Sequence, residues 1–128
     1  MSSCLLDASA FLAVINREPG WEKVVPRLAS AAISAVNLAE VASKLAEREG
    51  LSIQSIQSQL SQYELTVIPF DDRIAFAAAA LRPSTRPFGL SLGDRACLAT
   101  AHHLGLVAIT AEREWARLTI DVSVELIR

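Results

Sequence analysis

Four carboxylates, Asp7, Glu40, Asp94 and Glu112, recur at one kind of place: where an apolar strand hands over to a helix, or within a helix's first two turns. A parallel α/β sheet would gather such positions, because its strands all point one way and ligands bind outside their carboxyl ends. Acids brought together raise one another's pKa. They coexist at neutral pH when something positive sits among them, and a hard divalent cation such as Mg²⁺ or Mn²⁺, which prefers oxygen ligands, is the natural partner. The chemistry this points to is metal-assisted attack on a phosphate ester, with the acids holding the ion that activates a water.

Each acid also has a plainer job open to it. Asp7, in LLDASAFL, suits a helix N-cap. Glu40 lies roughly opposite Leu38 and Leu45 on a helical wheel, which predicts a solvated residue paired with Lys44 at i+4. Asp94 completes a near capping box with Ser91, and Glu112 is a first-turn acid favoured by the helix dipole. The four together are harder to dismiss, because no other constellation competes. The chain has no glycine-rich P-loop, no Gly-x-Ser-x-Gly elbow and no His-Glu-x-x-His. His102 and His103 close a helix, where imidazoles suit the dipole. Cys4 and Cys97 belong to no Cys-x-x-Cys pair and read as small buried hydrophobes rather than a disulfide or zinc site.

Short apolar segments alternate with helical ones along the whole chain. Strands are expected at Ser3–Leu6, Ala31–Ser34, Leu65–Ile68, Leu106–Thr110 and Val122–Leu126. Between them the 3.6-residue period predicts helices. One spans Ala8–Arg17, and one around Trp21–Leu28 is shortened or kinked by Pro26. A strong amphipathic helix over Ala35–Glu49 carries Leu38, Val41, Ala42 and Leu45 on one face and is stopped by Gly50. A glutamine-rich helix from Ser52 to Tyr63 carries the stripe Ile53, Ile56 and Leu60. Further helices run from Asp71 to about Arg82, from Ser91 to just before Gly105, and briefly over Glu112–Leu118. PSTRPFG, Pro83 to Gly89, is the one clear loop. This alternation predicts a three-layer α/β/α sandwich around a mostly parallel sheet of about five strands.

At 128 residues, 52% hydrophobic with mean hydropathy +0.33, the chain is long enough for one domain with its own core, over residues 1–128. The apolar run through Ala75 to Leu81 is far short of the ~20 residues of a membrane-spanning helix. The MSSCLLD start shows no signal peptide, so a cytoplasmic location is expected. A net charge of −2 argues against a broadly basic nucleic-acid-binding surface. It leaves room for local phosphate contacts, since all cations but Lys23 and Lys44 are Arg, the better phosphate fork.

Taken together, LLDASAFL, SAVNLAEV around Glu40, LSLGDRACLATA around Asp94 and AITAEREWARL near the end resemble the PIN-domain ribonucleases, specifically VapC-like toxins of bacterial toxin–antitoxin pairs. The resemblance covers nearly the whole chain, and the third motif is the most specific. It implies that Asp7, Glu40, Asp94 and Glu112 form a Mg²⁺ or Mn²⁺ site that hydrolyses RNA phosphodiesters. Asp7 and Asp94 would be the main ion-holders. Glu40 would bind metal or orient water, and Glu112 would sit at the outer edge. Thr110 and, more weakly, Ser9 would orient a ligand or water. Arg82, Arg86 and Arg95 flank the loop before the Ser91 helix and are candidates to grip the RNA backbone. A cognate VapB-like antitoxin and a homodimer are also implied. One position departs from the family's pattern: Thr110-Ala111-Glu112-Arg113 has Glu where the family usually has Asp.

That departure sustains a rival of another class, a PIN fold that binds RNA or protein without cutting. A phosphoacceptor signalling domain would need paired acids near the first strand and a lysine after the last strands, and neither is present. A phosphatase using Asp-x-Asp fails because residue 9 is Ser.

Overall fold

A computed structural model describes residues 1–128. Five strands, β1 (Cys4–Leu6), β2 (Ala31–Ser34), β3 (Thr66–Ile68), β4 (Val107–Thr110) and β5 (Val124–Leu126), form one sheet in the order β3-β2-β1-β4-β5. All four pairings are parallel, so the sheet is parallel throughout. The helices are α1 (Ala8–Asn16), α2 (Trp21–Val24), α3 (Ala35–Glu49), α4 (Ile53–Ser61), α5 (Asp72–Ala80), α6 (Arg82–Thr85) and α7 (Leu92–Leu104).

β1 and β2 are buried at every residue, as continuous apolar runs must be in strands covered on both faces. Strand alternation sorts their side chains. Cys4, Leu6, Ile33 and Ile109 join Phe11 of α1, Val41 and Leu45 of α3 and Ile56 of α4 in one core. Leu5, Ala32 and Ala108 turn the other way onto Cys97 and Leu98 of α7. A small third cluster, Ile74 and Ala78 with Ala99, packs α5 onto α7. The result is the three-layer arrangement expected. No helix is long and apolar enough to cross a membrane.

Because the strands are parallel, the chain leaves β1 at Asp7, β2 at Ala35 and β4 at Ala111 along the same edge. β2 and β3 extend the sheet to one side of β1, β4 and β5 to the other. The crevice between β1 and β4 is therefore the topological switch point, where open α/β sheets take their ligands.

Two local expectations need correction. The stretch Pro83 to Gly89 is not a loop. It forms α6 and then a 3-10 turn over Arg86–Phe88, with Pro83 and Pro87 each in the first helical turn, where a fixed φ and a missing N–H do no harm. The segment after Glu112 is a 3-10 helix, Arg113–Arg117, rather than an α-helix. Pro26 acts as expected: α2 is only four residues long and continues as 3-10 turns over Val25–Ser30.

Candidate active site

Asp7 does two things at once. Its carboxylate caps α1, accepting the Ala10 N–H at 2.8 Å, and it takes both neighbouring hydroxyls. Ser9 Oγ donates to it at 2.7 Å, and Thr110 Oγ1, from the end of β4, donates at 2.5 Å. The same hydroxyls accept from the β4 exit: Ala111 N–H to Ser9 at 2.9 Å and Glu112 N–H to Thr110 at 2.9 Å. Ser9 and Thr110 thus stitch the start of α1 to the end of β4 and hold the Asp7 carboxylate from two sides. Asp7 is 2% exposed. Burial pushes its pKa up from 3.8 to about 6 despite the bonds from Thr110, Ala10 and Ser9, and the Asp94 charge pushes it further the same way.

Asp94 also has two attachments in view. Its Oδ2 accepts the Ser91 N–H at 2.9 Å while Ser91 Oγ accepts the Asp94 N–H at 3.2 Å, completing the capping box of α7. Its Oδ1 has no donor. The cap holds the half-buried carboxylate over the first turn of α7, close enough for its charge to act on Asp7.

Glu40 overturns its helical-wheel reading. It is half-buried and makes no ion pair with Lys44. The side chain turns towards α7: Asn37, one turn earlier on α3, donates to Oε1 at 2.8 Å and also to the Gly93 carbonyl at 3.0 Å. The carboxylate occupies the space a side chain at position 93 would fill. A Cβ there would lie 2.6 Å from Glu40 Cδ and 2.9 Å from Oε2. Asn37 and Gly93 are therefore members of the site that were not singled out from the sequence. The available signal was a glycine inside a helix, which costs stability relative to alanine and invites a packing reason.

Cys97, on the sheet-facing side of α7, registers the joint effect. Burial pushes its thiol well above the ordinary range, and the charges of Asp7, Asp94 and Glu40 add to that. No cation enters the balance at Cys97 or at Asp7. Asp7 after β1, Glu40 on α3 and Asp94 on α7 thus all act on the same buried thiol, and none of the three forms an ion pair with a Lys, Arg or His side chain.

The remaining candidates divide. Glu112 is exposed, and its carboxylate does not figure among the charges acting on Asp7 or Cys97. Arg82 and Arg86 are exposed on α6 and the turn after it. Arg95 is not available to RNA. It is 8% exposed, inserted between α7 and α5 with Nη1 donating to the Ala78 carbonyl at 3.0 Å. Its place in the chain suggested a surface cation, but residue 95 lies on the side of α7 that faces α5. His102 is exposed at the end of α7 with Nδ1 3.0 Å from the Asp121 carbonyl, and both cysteines are free and buried.

A hard cation fits this donor set in kind. All the groups are carboxylate or hydroxyl oxygens, they repel one another, and Glu40 has a seat cleared by Gly93. In the present conformers no three of these side chains stand at mutual ligating spacing. Asp94 Oδ1 and Glu40 Oε2 accept no hydrogen bond from the protein, while the other oxygen of each carboxylate is held by Ser91 and Asn37.

Similar proteins share the architecture. The fold matches DNA-bound VapBC from Salmonella typhimurium with TM-score 0.75 and 19% identity over 100% of both chains. It matches a toxin–antitoxin complex from Klebsiella pneumoniae with TM-score 0.74 and 22% identity over 98% of both. VapBC2 from Rickettsia felis, bound to a DNA fragment from its promoter, gives TM-score 0.72 and 20% identity over 95% of this chain and 96% of that one. At such identities the likeness speaks for the fold. No curated protein matches the sequence. The family model of the PIN domain matches residues 4–120, from the first residue of β1 to beyond the 3-10 helix after β4. A match of that extent takes in every element that positions the acids: the chain belongs to the PIN domain family.

Proposed function

We propose that this chain is a Mg²⁺- or Mn²⁺-dependent endoribonuclease of the VapC toxin type. The observation that supports the proposal is that Asp7, Glu40 and Asp94, from three separate elements, all act on Cys97 while none is paired with a cation. A fold alone would not require this, because a buried acid without a cation, as Asp7 is, costs stability and tends to persist where it serves a site. Asp7 and Asp94 would hold the ion, Glu40 would hold it or orient the attacking water, and Glu112 would act from the outer edge. When bound, the cation supplies Lewis-acid polarisation of the phosphodiester and a lowered pKa for a water. Ser9 and Thr110 keep Asp7 from turning away, which is the task of groups behind a metal ligand. Arg82 and Arg86, both exposed, would take backbone phosphates of RNA.

A VapB-like antitoxin as partner is supported by the relatives, which are toxin–antitoxin complexes. A homodimer and action in the cytoplasm belong to the same reading. An apolar groove of about 420 Å³, lined by Phe11, Leu38, Ile53, Leu60 and Val67 among others, is the surface suited to an apolar partner segment.

The test is cleavage of a panel of structured RNAs by partner-free protein with Mg²⁺, Mn²⁺ or EDTA, beside Asp7→Asn and Asp94→Asn. Metal-dependent cleavage lost in both variants is expected. A folded wild type that cuts nothing with either metal would sink the proposal. The outward Glu112 favours one second reading, a PIN fold that binds RNA without cutting. In that case RNA binding survives EDTA and both substitutions.

A further inference from the structure

Asn37 is an unexpected residue to find where it is. It is 1% exposed near the start of α3, and its amide oxygen has no donor in the protein. A buried acceptor without a partner carries the full cost of its lost hydration. That oxygen contributes nothing to fold stability.

Its two amide hydrogens are both in use. One goes to Glu40 Oε1 and the other to the Gly93 carbonyl, so the same group anchors the acid and ties α3 to the first turn of α7. The opposite amide orientation would set its oxygen against two acceptors, so the observed one is imposed by its neighbours. The Gly93 carbonyl is in the first turn of a helix and has a main-chain partner available without Asn37. Glu40 Oε1 has no other donor. Remove the amide, and the long glutamate side chain is left to rotate towards solvent.

We propose that Asn37 is the positioning residue for Glu40: it pins Oε1 over Gly93 and thereby leaves Oε2 as the one oxygen offered to the divalent cation or its water. This rests on the nuclease reading above and adds to it a residue that touches neither ion nor RNA. The arrangement explains three features together: a glutamate that faces α7 instead of Lys44, a glycine inside a helix, and a buried amide with an unused oxygen. Asp at position 37 would set a second carboxylate on Glu40 and lose both donors. Leu would keep the volume and lose only the hydrogen bonds.

The test uses the full chain with Mn²⁺ as probe. Mn²⁺ affinity is measured by titration calorimetry, together with kcat and KM on a cleaved RNA and the thermal midpoint in EDTA. Asn37→Leu is expected to melt at or above the wild-type temperature. It should bind Mn²⁺ about tenfold more weakly and lose about tenfold or more in kcat, with the KM for RNA unchanged. In a Glu40→Gln background the same substitution should cost nothing further, which a merely structural role would not produce. If leucine does not fold, Asn37→Ala carries the same comparison. Wild-type Mn²⁺ affinity and kcat in the folded variant would overturn the proposal alone, as would full additivity with Glu40→Gln. Wild-type protein that binds no Mn²⁺ would overturn the nuclease reading and this proposal with it.

Discussion

Replacing Asp7 by Asn should make this protein more stable at neutral pH while abolishing its chemistry. The Asp7 carboxyl is held in the fold with a pKa raised from 3.8 to about 6, chiefly by burial. A raised pKa means that the folded state holds its proton more tightly than the unfolded one. Its contribution to stability is therefore fully present below pH ~4 and is lost as pH rises through ~6. The loss is about 3 kcal/mol by pH 7.5, and only about 1 kcal/mol of it has accrued at pH 4.5. Asn is neutral at every pH and escapes it. Against that gain, the amide nitrogen cannot accept from Thr110 and Ser9 as Oδ2 does, a loss of about 1 kcal/mol. The net expectation is about 2 kcal/mol in favour of the variant at pH 7.5 and about zero at pH 4.5. At ~2.1 cal/mol/K of unfolding entropy per residue over 128 residues, 2 kcal/mol is a rise of about 7 °C in Tm. The assay is thermal unfolding by circular dichroism in EDTA at the two pH values. Saturating Mn²⁺ should narrow or invert the order, since only the wild type gains fully from the ion. Equal Tm values at pH 7.5, or an advantage that does not change with pH, would refute the reasoning that the Asp7 charge is the destabilising element.

The other expectations concern groups around Asp7 and Glu40. Gly93→Ala should gain up to about 1 kcal/mol of helix stability. It should cost tenfold or more in metal-dependent cleavage, because the new Cβ takes the place of the Glu40 carboxylate; melting temperature and rate measured on one preparation check both halves. Thr110→Val removes a donor that lowers the Asp7 pKa, so the acid limb of the pH–rate profile should move to higher pH. An unmoved limb would mean that Asp7 does not set it. Arg95→Ala should lower stability by about 2 kcal/mol through lost packing between α5 and α7. Arg86→Ala should leave stability unchanged, raise the KM for RNA and flatten its salt dependence, which a salt series on both variants distinguishes.

Much of the site was legible because its signals are local. Asp7 and Asp94 follow apolar or capping patterns that place a carboxylate at a helix start, and both do cap their helices. Neither role excludes the other, since a cap fixes the carboxylate at the strand-end edge where a ligand would sit. Ser9 stands two residues after Asp7 and Thr110 matches the hydroxyl of the family pattern beside Glu112, and both bond Asp7. Glu40 was harder. Periodicity predicts which face of an isolated helix is apolar, but α3 also meets α7, and that contact turns a nominally solvated position into part of the edge.

Alternation of apolar runs with 3.6-period segments determined the parallel sheet, and parallel strands with polar exits determined that acids would meet at one edge. These follow from backbone geometry and residue type, which act over a few neighbouring positions. Only the tertiary structure decided which side chains share space across the layers. It seated Glu40 over Gly93 under the Asn37 amide, buried Arg95 between α7 and α5, and left Glu112 facing outward. Such contacts join residues on different elements, 56 positions apart for Asn37 and Gly93 and 17 for Arg95 and Ala78, and their geometry is set by how helices pack on a finished sheet.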